Sequence, residues 1–412
     1  MTGYRHTQWG TVLLVVFGLI ATLLFYCLTV LSSRDRFSLR LGIGRTATNS
    51  YTEVQMRVRL LTYGVMAILT VAVASCTPGG EPSAEAVADV APAVSEYTPP
   101  TVTPESHDLT KADIERLMEE LSNWGRWGPD DQRGAANLIT PAKRLEAAAL
   151  VTEGLTVSLA HRLLTDEADD VPRPFEHRML VVPNPAAEPG FMSSVSDNYT
   201  ISYHGYSHSH LDALCHILHN GQMYNGVSHD TITEDGCSNA AIDNLQSGIV
   251  TRGVLFDIPR LKGVPYLEPG TPIYMEDLEA WEETAGVTVR PGDAIFIRTG
   301  RWARRADVGA WEVSGSTAGL HASTMPWVKA RDVSFLGSDV AADVSPSQVD
   351  GVRLPVHILT IVAMGVNLFD NQDLEALAEV ADELNRWEFM LVASPLAVEG
   401  GTGSPLNALA IF

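Results

Sequence analysis

The chain has 412 residues and a formal net charge of -22 at pH 7, and 45% of its residues are hydrophobic. This length allows one large domain or two smaller ones, and the apolar content is enough for a substantial core. The acidic balance argues against a nucleic-acid partner, because phosphate binding needs a basic surface.

The N-terminal part carries two apolar runs. Residues 11–31 are uncharged and long enough to span a bilayer, and arginines follow at Arg34, Arg36, Arg40 and Arg45. A second start at Met56 has a basic segment, an apolar run over 60–74 and the ending Val73-Ala74-Ser75-Cys76. That layout is typical of an export signal, and the ending resembles a bacterial lipoprotein signal with Cys76 as the lipidated residue.

Two interpretations of this part stay open. Either residues 1–55 are a misassigned extension before the true start at Met56, or they contain a real transmembrane helix. Both predict that everything after Cys76 is exported and anchored in the cell envelope. The anchor is a lipid on Cys76 if residues 56–76 are a lipoprotein-type signal peptide, and otherwise the helix. The alternative for Cys76 itself is an ordinary cysteine at the end of a helix.

Residues 77–108 are predicted to be a flexible linker rich in Pro, Ala, Glu and Ser, which cannot bury a core. From residue 109 to residue 412, strands and helices alternate, which predicts an α/β domain. The predicted helices cover 110–122, 141–153, 275–284, 355–364 and 373–384. The predicted strands cover 156–160, 178–182, 198–206, 249–257, 292–300, 334–336, 366–369 and 389–393.

The stretch 203–216 holds four of the chain's 12 histidines. If it is a strand, alternate residues share a face. One face then carries the imidazoles and a carboxylate, namely His204, Tyr206, His208, His210, Asp212 and His216. Imidazole and carboxylate together suit zinc, manganese or iron(II). The alternative is a polar strand edge that is rich in histidine by chance.

This stretch resembles the metal-dependent cyclase family, which includes bacterial kynurenine formamidase and isatin hydrolase. The family carries a His-x-Gly-Thr-His-x-Asp-x-Pro-x-His signature, and this sequence matches it at His210, Asp212 and His216. The first family histidine falls on Tyr206. Segments 253–257, 292–300 and 400–405 look like further family blocks in the expected order. The resemblance implies a swivelling β/β/α fold with a single catalytic domain over 109–412.

The resemblance also implies roles for individual residues. His210 and Asp212 correspond to metal ligands, and His216 to the general acid/base. A later family histidine and glutamate, also ligands, correspond to His357 and Asp370. The open alternatives are a metal-free His210–Asp212 hydrogen bond, a buried His216 without a chemical role, and an inert His357 at a helix start.

Three further residues are predicted to line the substrate side of the site: His204, Tyr206 and His208. His204 or His208 is also a possible replacement for the missing first histidine, the alternative being solvated strand histidines. The later segment around Ser316 lacks the glycines of a nucleophile elbow, which argues against a Ser-His-Asp hydrolase.

Two functions follow from these residues. The first is a zinc- or manganese-dependent amidohydrolase of a small cyclic or N-formyl amide, arylformamidase-like and linked by resemblance to tryptophan catabolism. The second is a non-catalytic small-molecule-binding protein with a degraded metal site. Family members are often dimers or larger, so the resemblance implies a homo-oligomer.

The exported part contains two cysteines, Cys215 and Cys237. An exported chain could join them in a disulfide. The assumed strand puts Cys215 on the face opposite the histidines, which favours burial as a small hydrophobic residue.

Overall fold

The computed structural model describes residues 97–184, 190 and 193–412. The predicted membrane-spanning run and the lipoprotein signal with Cys76 lie outside the described residues. Residues 97–108, the described end of the predicted linker, have no helix or strand, although Val102 packs against the core and the His107 ring stacks on Tyr274. Among the described helices, none has the length and apolar character needed to cross a membrane.

The strands are short, except in the centre of the main sheet. In chain order they are β1 (Thr156–Ser158), β2 (Glu176–Val181), β3 (Ser196–Thr200), β4 (His210–Asp212), β5 (Ile232–Thr233), β6 (Gly236–Cys237), β7 (Ile249–Asp257), β8 (Pro272–Ile273), β9 (Ala294–Arg298), β10 (Gly319–Leu320), β11 (Phe335–Ser338), β12 (Asn367–Asp370), β13 (Glu388–Ala393), β14 (Gly403–Pro405) and β15 (Leu409–Ile411).

The helices lie mostly between these strands. They are α1 (Lys111–Glu120), α2 (Pro141–Ala148), α3 (Ile258–Lys262), α4 (Met275–Ala285), α5 (Arg301–Val308), α6 (Met325–Ala330), α7 (Pro355–His357), which continues as a π-helix over Ile358–Met364, and α8 (Glu375–Leu384). Short 3-10 turns cover Gly134–Leu138, Tyr224–Gly226, His229–Thr231, Ile242–Leu245 and Ala322–Thr324.

Nine strands form one sheet in the order β1-β15-β13-β7-β9-β11-β12-β4-β14. The central strands β7, β9, β11 and β12 run parallel, and antiparallel strands extend the sheet on both sides. Strand β9 is buried at every position, as expected for a parallel strand covered on both faces. The α/β prediction is therefore confirmed.

Local sequence signals explain several boundaries. Thr110 and Asp113 form a reciprocal capping box at the start of α1. Thr140 caps α2 and Pro141 occupies its first position, but the helix ends at Ala148 and not at the predicted residue 153. Gly286 ends α4 with a φ of 64°, a left-handed conformation that glycine adopts at little cost.

The prediction of one long strand through 203–216 is wrong. Only His210–Asp212 is a strand, and the residues on either side form turns, with Gly205 at a φ of 110°. Of the six residues predicted to share one strand face, only His210 and Asp212 lie on a strand. His204, Tyr206, His208 and His216 are positioned by turns that period-2 alternation cannot describe.

Cys215 and Cys237 form a disulfide, with their Cα atoms 6.5 Å apart. The expectation that Cys215 is a free buried cysteine is therefore wrong. Because β4 ends at Asp212, Cys215 lies in the following turn, where its main-chain N–H bonds Ala240 and its side chain meets β6.

Strand β4 is held between two neighbours that define the site. On one side Asp370, at the end of β12, is in register with His210. On the other side Gly403 of β14 is in register with Asp212. The motif strand thus lies next to the C-terminal end of β12, where two carboxylates and an imidazole can meet.

Candidate metal centre

His210 is fully buried and presents one nitrogen to Asp212. Its Nδ1 lies 2.8 Å from the carbonyl oxygen of His208, and a carbonyl can only accept, so Nδ1 carries the hydrogen. Its Nε2 lies 3.3 Å from Asp212 Oδ1. Burial lowers the pKa of His210, but Asp212 and Asp370 more than offset this effect and raise it.

His204 approaches the same carboxylate oxygen from the turn that precedes β4. Its Nδ1 lies 3.0 Å from Asp212 Oδ1, and its Nε2 lies 2.9 Å from the hydroxyl of Thr402. The Thr402 contact leaves Nδ1 free to present a lone pair. His204 was predicted mainly as a substrate-binding residue, whereas the structure places it beside the predicted ligands His210 and Asp212.

His357 has the same division between its two ring nitrogens. Nδ1 lies 2.5 Å from Asp343 Oδ2, and Asp343 also accepts the main-chain N–H groups of Val356 and His357. The other nitrogen, Nε2, lies 3.3 Å from Asp370 Oδ2 and 4.0 Å from Asp212 Oδ2. Burial opposes protonation, yet Asp370 and Asp343 hold the pKa of His357 well above its usual value.

Asp343 was missed by sequence reasoning. A carboxylate that orients a ligating histidine is a common outer partner in metal sites. Its position, 14 residues before His357, follows no spacing rule, because the loop between them is irregular. In the sequence, the only indication of such a residue was that a ligating His357 needs an acceptor for its Nδ1–H.

Asp212 joins the two halves of the cluster. Its Oδ1 faces His204 and His210, and its Oδ2 faces His357 and His216. The buried carboxyl would ordinarily resist ionisation, but His216, His204 and His210 hold its pKa well below the usual range.

Two overlapping groups of donor atoms result. One consists of His204, His210 and Asp212, and the other of Asp212, His357 and Asp370, with the donor atoms of each group within 4.8 Å of one another. The buried Oδ1 atom of Asp370 has no hydrogen-bond partner among the described residues.

This chemistry fits a divalent metal ion. When their rings are neutral, His210 and His357 carry the hydrogen on Nδ1 and turn the Nε2 lone pair toward carboxylates, which also carry lone pairs. Such an arrangement favours a positive charge in the space between them, and imidazole with carboxylate suits zinc or manganese. The four predicted ligands, His210, Asp212, His357 and Asp370, all contribute to the cluster.

His216 lies at the edge of the cluster. Its ring stacks on His204 with centroids 3.7 Å apart and planes inclined by 4°, and its Nε2 is 3.9 Å from Asp212 Oδ2. Burial, together with the nearby His204, lowers the pKa of His216 to about 4 although Asp212 raises it. The imidazole is therefore neutral near pH 7 and beside the donor groups.

His208 contributes no atom to either donor group. Burial, and then the charges of Asp370 and Asp343, raise the pKa of Tyr206 to about 12, so its hydroxyl keeps its proton. The His208 side chain is buried, and its carbonyl oxygen accepts the hydrogen bond of His210. A small cavity of about 110 Å³ opens beside His204 and Tyr206.

Comparisons with known proteins agree with this architecture. A family model described as "Putative cyclase" matches residues 139–343. A crystal structure described as that of a novel cyclase is 32% identical, covers 75% of this chain and 100% of its own, and superimposes with a TM-score of 0.64. The chain belongs to the cyclase family.

The predicted cyclase-family α/β fold is thereby confirmed, with the nine-stranded sheet in one domain. Isatin hydrolase A from Ralstonia solanacearum is 22% identical over 62% of this chain and 91% of its own, with a TM-score of 0.44. Isatin hydrolase A from Labrenzia aggregata is 20% identical over 66% and 98%, with a TM-score of 0.46. No curated protein matches the chain.

In this cyclase, the residue at the first histidine position of the signature is not the residue whose imidazole lies beside Asp212. Tyr206 occupies the place of the first histidine in the signature. His204, two residues earlier, supplies an imidazole beside Asp212. The turn through Gly205 makes this possible, because it brings His204 back toward β4.

Proposed function

We propose that this cyclase is a metal-dependent hydrolase that cleaves the C–N bond of a small cyclic or N-formyl amide. The observation that carries the proposal is the convergence of imidazole nitrogens from His204, His210 and His357 on the two oxygens of Asp212. Membership of the cyclase family and the hydrolase names of several structural neighbours agree with it.

The residues divide into those that hold the ion and those that move a proton. His204, His210 and Asp212 would form one set of ligands, and His357 and Asp370 would complete the site with the second oxygen of Asp212. A divalent ion held there supplies a Lewis acid for the amide carbonyl and lowers the pKa of water. We propose zinc or manganese, since both accept imidazole and carboxylate ligands.

His216 is the proposed proton carrier. Its neutral imidazole, next to Asp212, can take a proton from the attacking water and return it to the leaving nitrogen. The stack on His204 restrains the orientation of the ring. We propose the cavity of about 110 Å³ beside His204 and Tyr206 as the place of part of the substrate.

The alternative, a binding protein with a degraded metal site, rested on Tyr206 in place of the first family histidine. His204 supplies an imidazole to the site instead, so the geometry gives that alternative no separate support.

The test is turnover by the purified, metal-loaded protein on a panel that pairs N-formyl arylamines, including N-formylkynurenine, with cyclic amides such as isatin. We expect at least one class to be hydrolysed to its carboxylate and amine. If no member of either class is turned over while the ion stays bound, the binding-protein interpretation replaces the enzyme.

We also propose that the chain acts in the cell envelope and forms a homo-oligomer. The disulfide between Cys215 and Cys237 supports an oxidising compartment. The hairpin of β2 and β3 is exposed along its whole length and carries apolar side chains such as Leu180 and Tyr199, which supports contact with a second copy.

A further inference from the structure

Asn371 follows the proposed ligand Asp370 and is fully buried. Its backbone has a φ of 54°, a left-handed conformation that asparagine tolerates better than most residues. The side chain hydrogen-bonds main-chain carbonyls in the segment between His204 and His210. It is therefore placed to join the two halves of the site.

The Asn371 amide group donates to main-chain carbonyls on that loop. Nδ2 lies 2.6 Å from the carbonyl oxygen of Gly205 and 3.4 Å from that of His208. The His208 carbonyl is also the acceptor that fixes the hydrogen of His210 on Nδ1. The main-chain carbonyl of Asn371 accepts a hydrogen bond from the Ser209 hydroxyl at 2.6 Å. Both the side chain and the main chain of Asn371 therefore bind the segment between His204 and His210.

Arg301 fixes which way the Asn371 amide points. Its Nη1 donates to Asn371 Oδ1 at 2.6 Å, and a guanidinium can only donate, so the amide nitrogen must face the loop. The other arm of Arg301 donates to the Tyr206 carbonyl and to Asp170. Both Arg301 and Asp170 are buried, so these hydrogen bonds lie inside the protein and not at its surface. We call the side chains of Asn371 and Arg301, with their bonds to the segment 205–208, the clamp.

We propose that Asn371, oriented by Arg301, is a positioning residue that sets the distance between the His204–His210 side of the metal centre and its Asp370 side. The main-chain carbonyls of Gly205, Tyr206 and His208 are each bound by one of these two side chains. In the sequence, His204 lies two residues before the signature's first histidine position, and this turn brings its ring beside Asp212. The clamp thus stabilises the feature by which this chain departs from the signature.

This inference rests on the proposed metal site, but one of its tests does not. Asn371→Gly keeps the freedom to adopt a positive φ and removes the amide. A matched control is Asn385→Gly, because Asn385 also has a positive φ, of 48°, but is exposed at the end of α8. Both variants are made in the full chain.

The first measurement is amide hydrogen exchange over residues 204–210 in metal-free protein. We expect faster exchange in Asn371→Gly and parent-like exchange in Asn385→Gly. The second is the dissociation constant for zinc and manganese, by competition with a chromophoric chelator. We expect affinity to fall about 10–100-fold in Asn371→Gly, the usual loss when an outer partner of a ligand is removed.

Cobalt(II) loading gives a third readout, because its visible spectrum reports the coordination geometry, and we expect it to change in Asn371→Gly alone. Parent-like exchange, affinity and spectrum in Asn371→Gly would overturn the positioning role. A parent that binds no metal, with Asn371→Gly still loosening 204–210, would instead reject the proposed function and leave the clamp intact.

If Asn371→Gly does not fold, Arg301→Lys decides the question. Lysine keeps the charge but cannot reach Asn371 and Tyr206 with one planar fork. A folded Arg301→Lys variant with weaker metal binding and faster exchange over 204–210 supports the clamp, and one with parent values overturns it.

Discussion

At the scale of single residues, the site depends on which imidazole nitrogen carries the hydrogen. His210 and His357 each bind an acceptor through Nδ1, the His208 carbonyl and the Asp343 carboxylate. Their Nε2 atoms therefore face the carboxylates with lone pairs when the rings are neutral. The raised pKa of both histidines has the same cause as the proposed metal affinity, since the buried carboxylates favour any positive charge nearby.

We predict that His204→Ala and His210→Ala each weaken metal binding by at least about tenfold, because a site of three or four ligands cannot lose one without cost. His204 is included because its Nδ1 lies 3.0 Å from Asp212 Oδ1, although it is not a residue of the signature. Metal content after dialysis is the measurement, with His229→Ala as control, since that side chain is 58% exposed. Full occupancy in either site variant would remove that residue from the ligand set.

A second residue-scale prediction concerns His216. We expect His216→Ala to keep its ion and its melting temperature but to lose roughly 10²–10⁴-fold in turnover, the usual worth of one proton-transfer group. Turnover, metal content and thermal melting are measured on the same preparation. Loss of the ion would make His216 a ligand, and parent-rate turnover would exclude it from the mechanism.

At the scale of elements, a buried histidine caps a turn away from the metal centre. His321 begins the 3-10 turn Ala322–Thr324, and its Nδ1 accepts from the Ser323 main-chain N–H at 3.2 Å. Burial, aided by the nearby His107 and opposed by Asp108, lowers the pKa of His321 to about 4. The folded protein therefore keeps this ring neutral where the unfolded chain, with a pKa near its usual value of about 6.5, would protonate it.

Because the unfolded state binds more protons, His321 lowers the stability of the fold as the pH falls from about 6.5 toward about 4. We predict that His321→Asn, which keeps a side-chain acceptor for the cap, shows a smaller drop in melting temperature between pH 7 and pH 5 than the parent. An unchanged drop would show that other groups cause the acid sensitivity.

The strands with continuous apolar sequence were the easiest elements to predict. The expected strand 249–257 is observed at those bounds, because a long buried run in the middle of a sheet has few alternatives. The prediction of one strand through 203–216 was wrong because this segment has no such continuous apolar run. Alternation of polar residues over 203–216 cannot reveal a turn at Gly205, which depends on contacts with Asn371 and Arg301 far along the chain.

The site was predicted to the same uneven extent. The closeness of His210 and Asp212 was predictable, because residues two apart on a strand share a face, and their role as ligands stays a prediction. His357 and Asp370 followed from resemblance. Asp343 and Asn371 were missed, since each acts through hydrogen bonds between segments whose approach only the fold determines.

At the scale of the whole molecule, the described residues include the candidate metal centre and the disulfide, and the proposed anchor precedes them in the sequence. The signal pattern from Met56 to Cys76 predicts a mature lipoprotein that begins at Cys76. Mass spectrometry of the native N-terminus checks this, with Cys76→Ser as the control that should block lipid attachment. A mature chain that still carries residues 11–31 would rule the lipoprotein out.

The central claim is that the cluster around Asp212 binds a divalent metal ion. The most direct measurement is elemental analysis of the purified full chain after exposure to zinc and manganese and removal of loosely bound ions. We predict stoichiometric zinc or manganese in the parent and loss of most of it in Asp212→Ala, because that carboxylate belongs to both donor groups. A folded parent without a stoichiometric amount of either metal, or an Asp212→Ala variant with as much metal as the parent, would contradict the account.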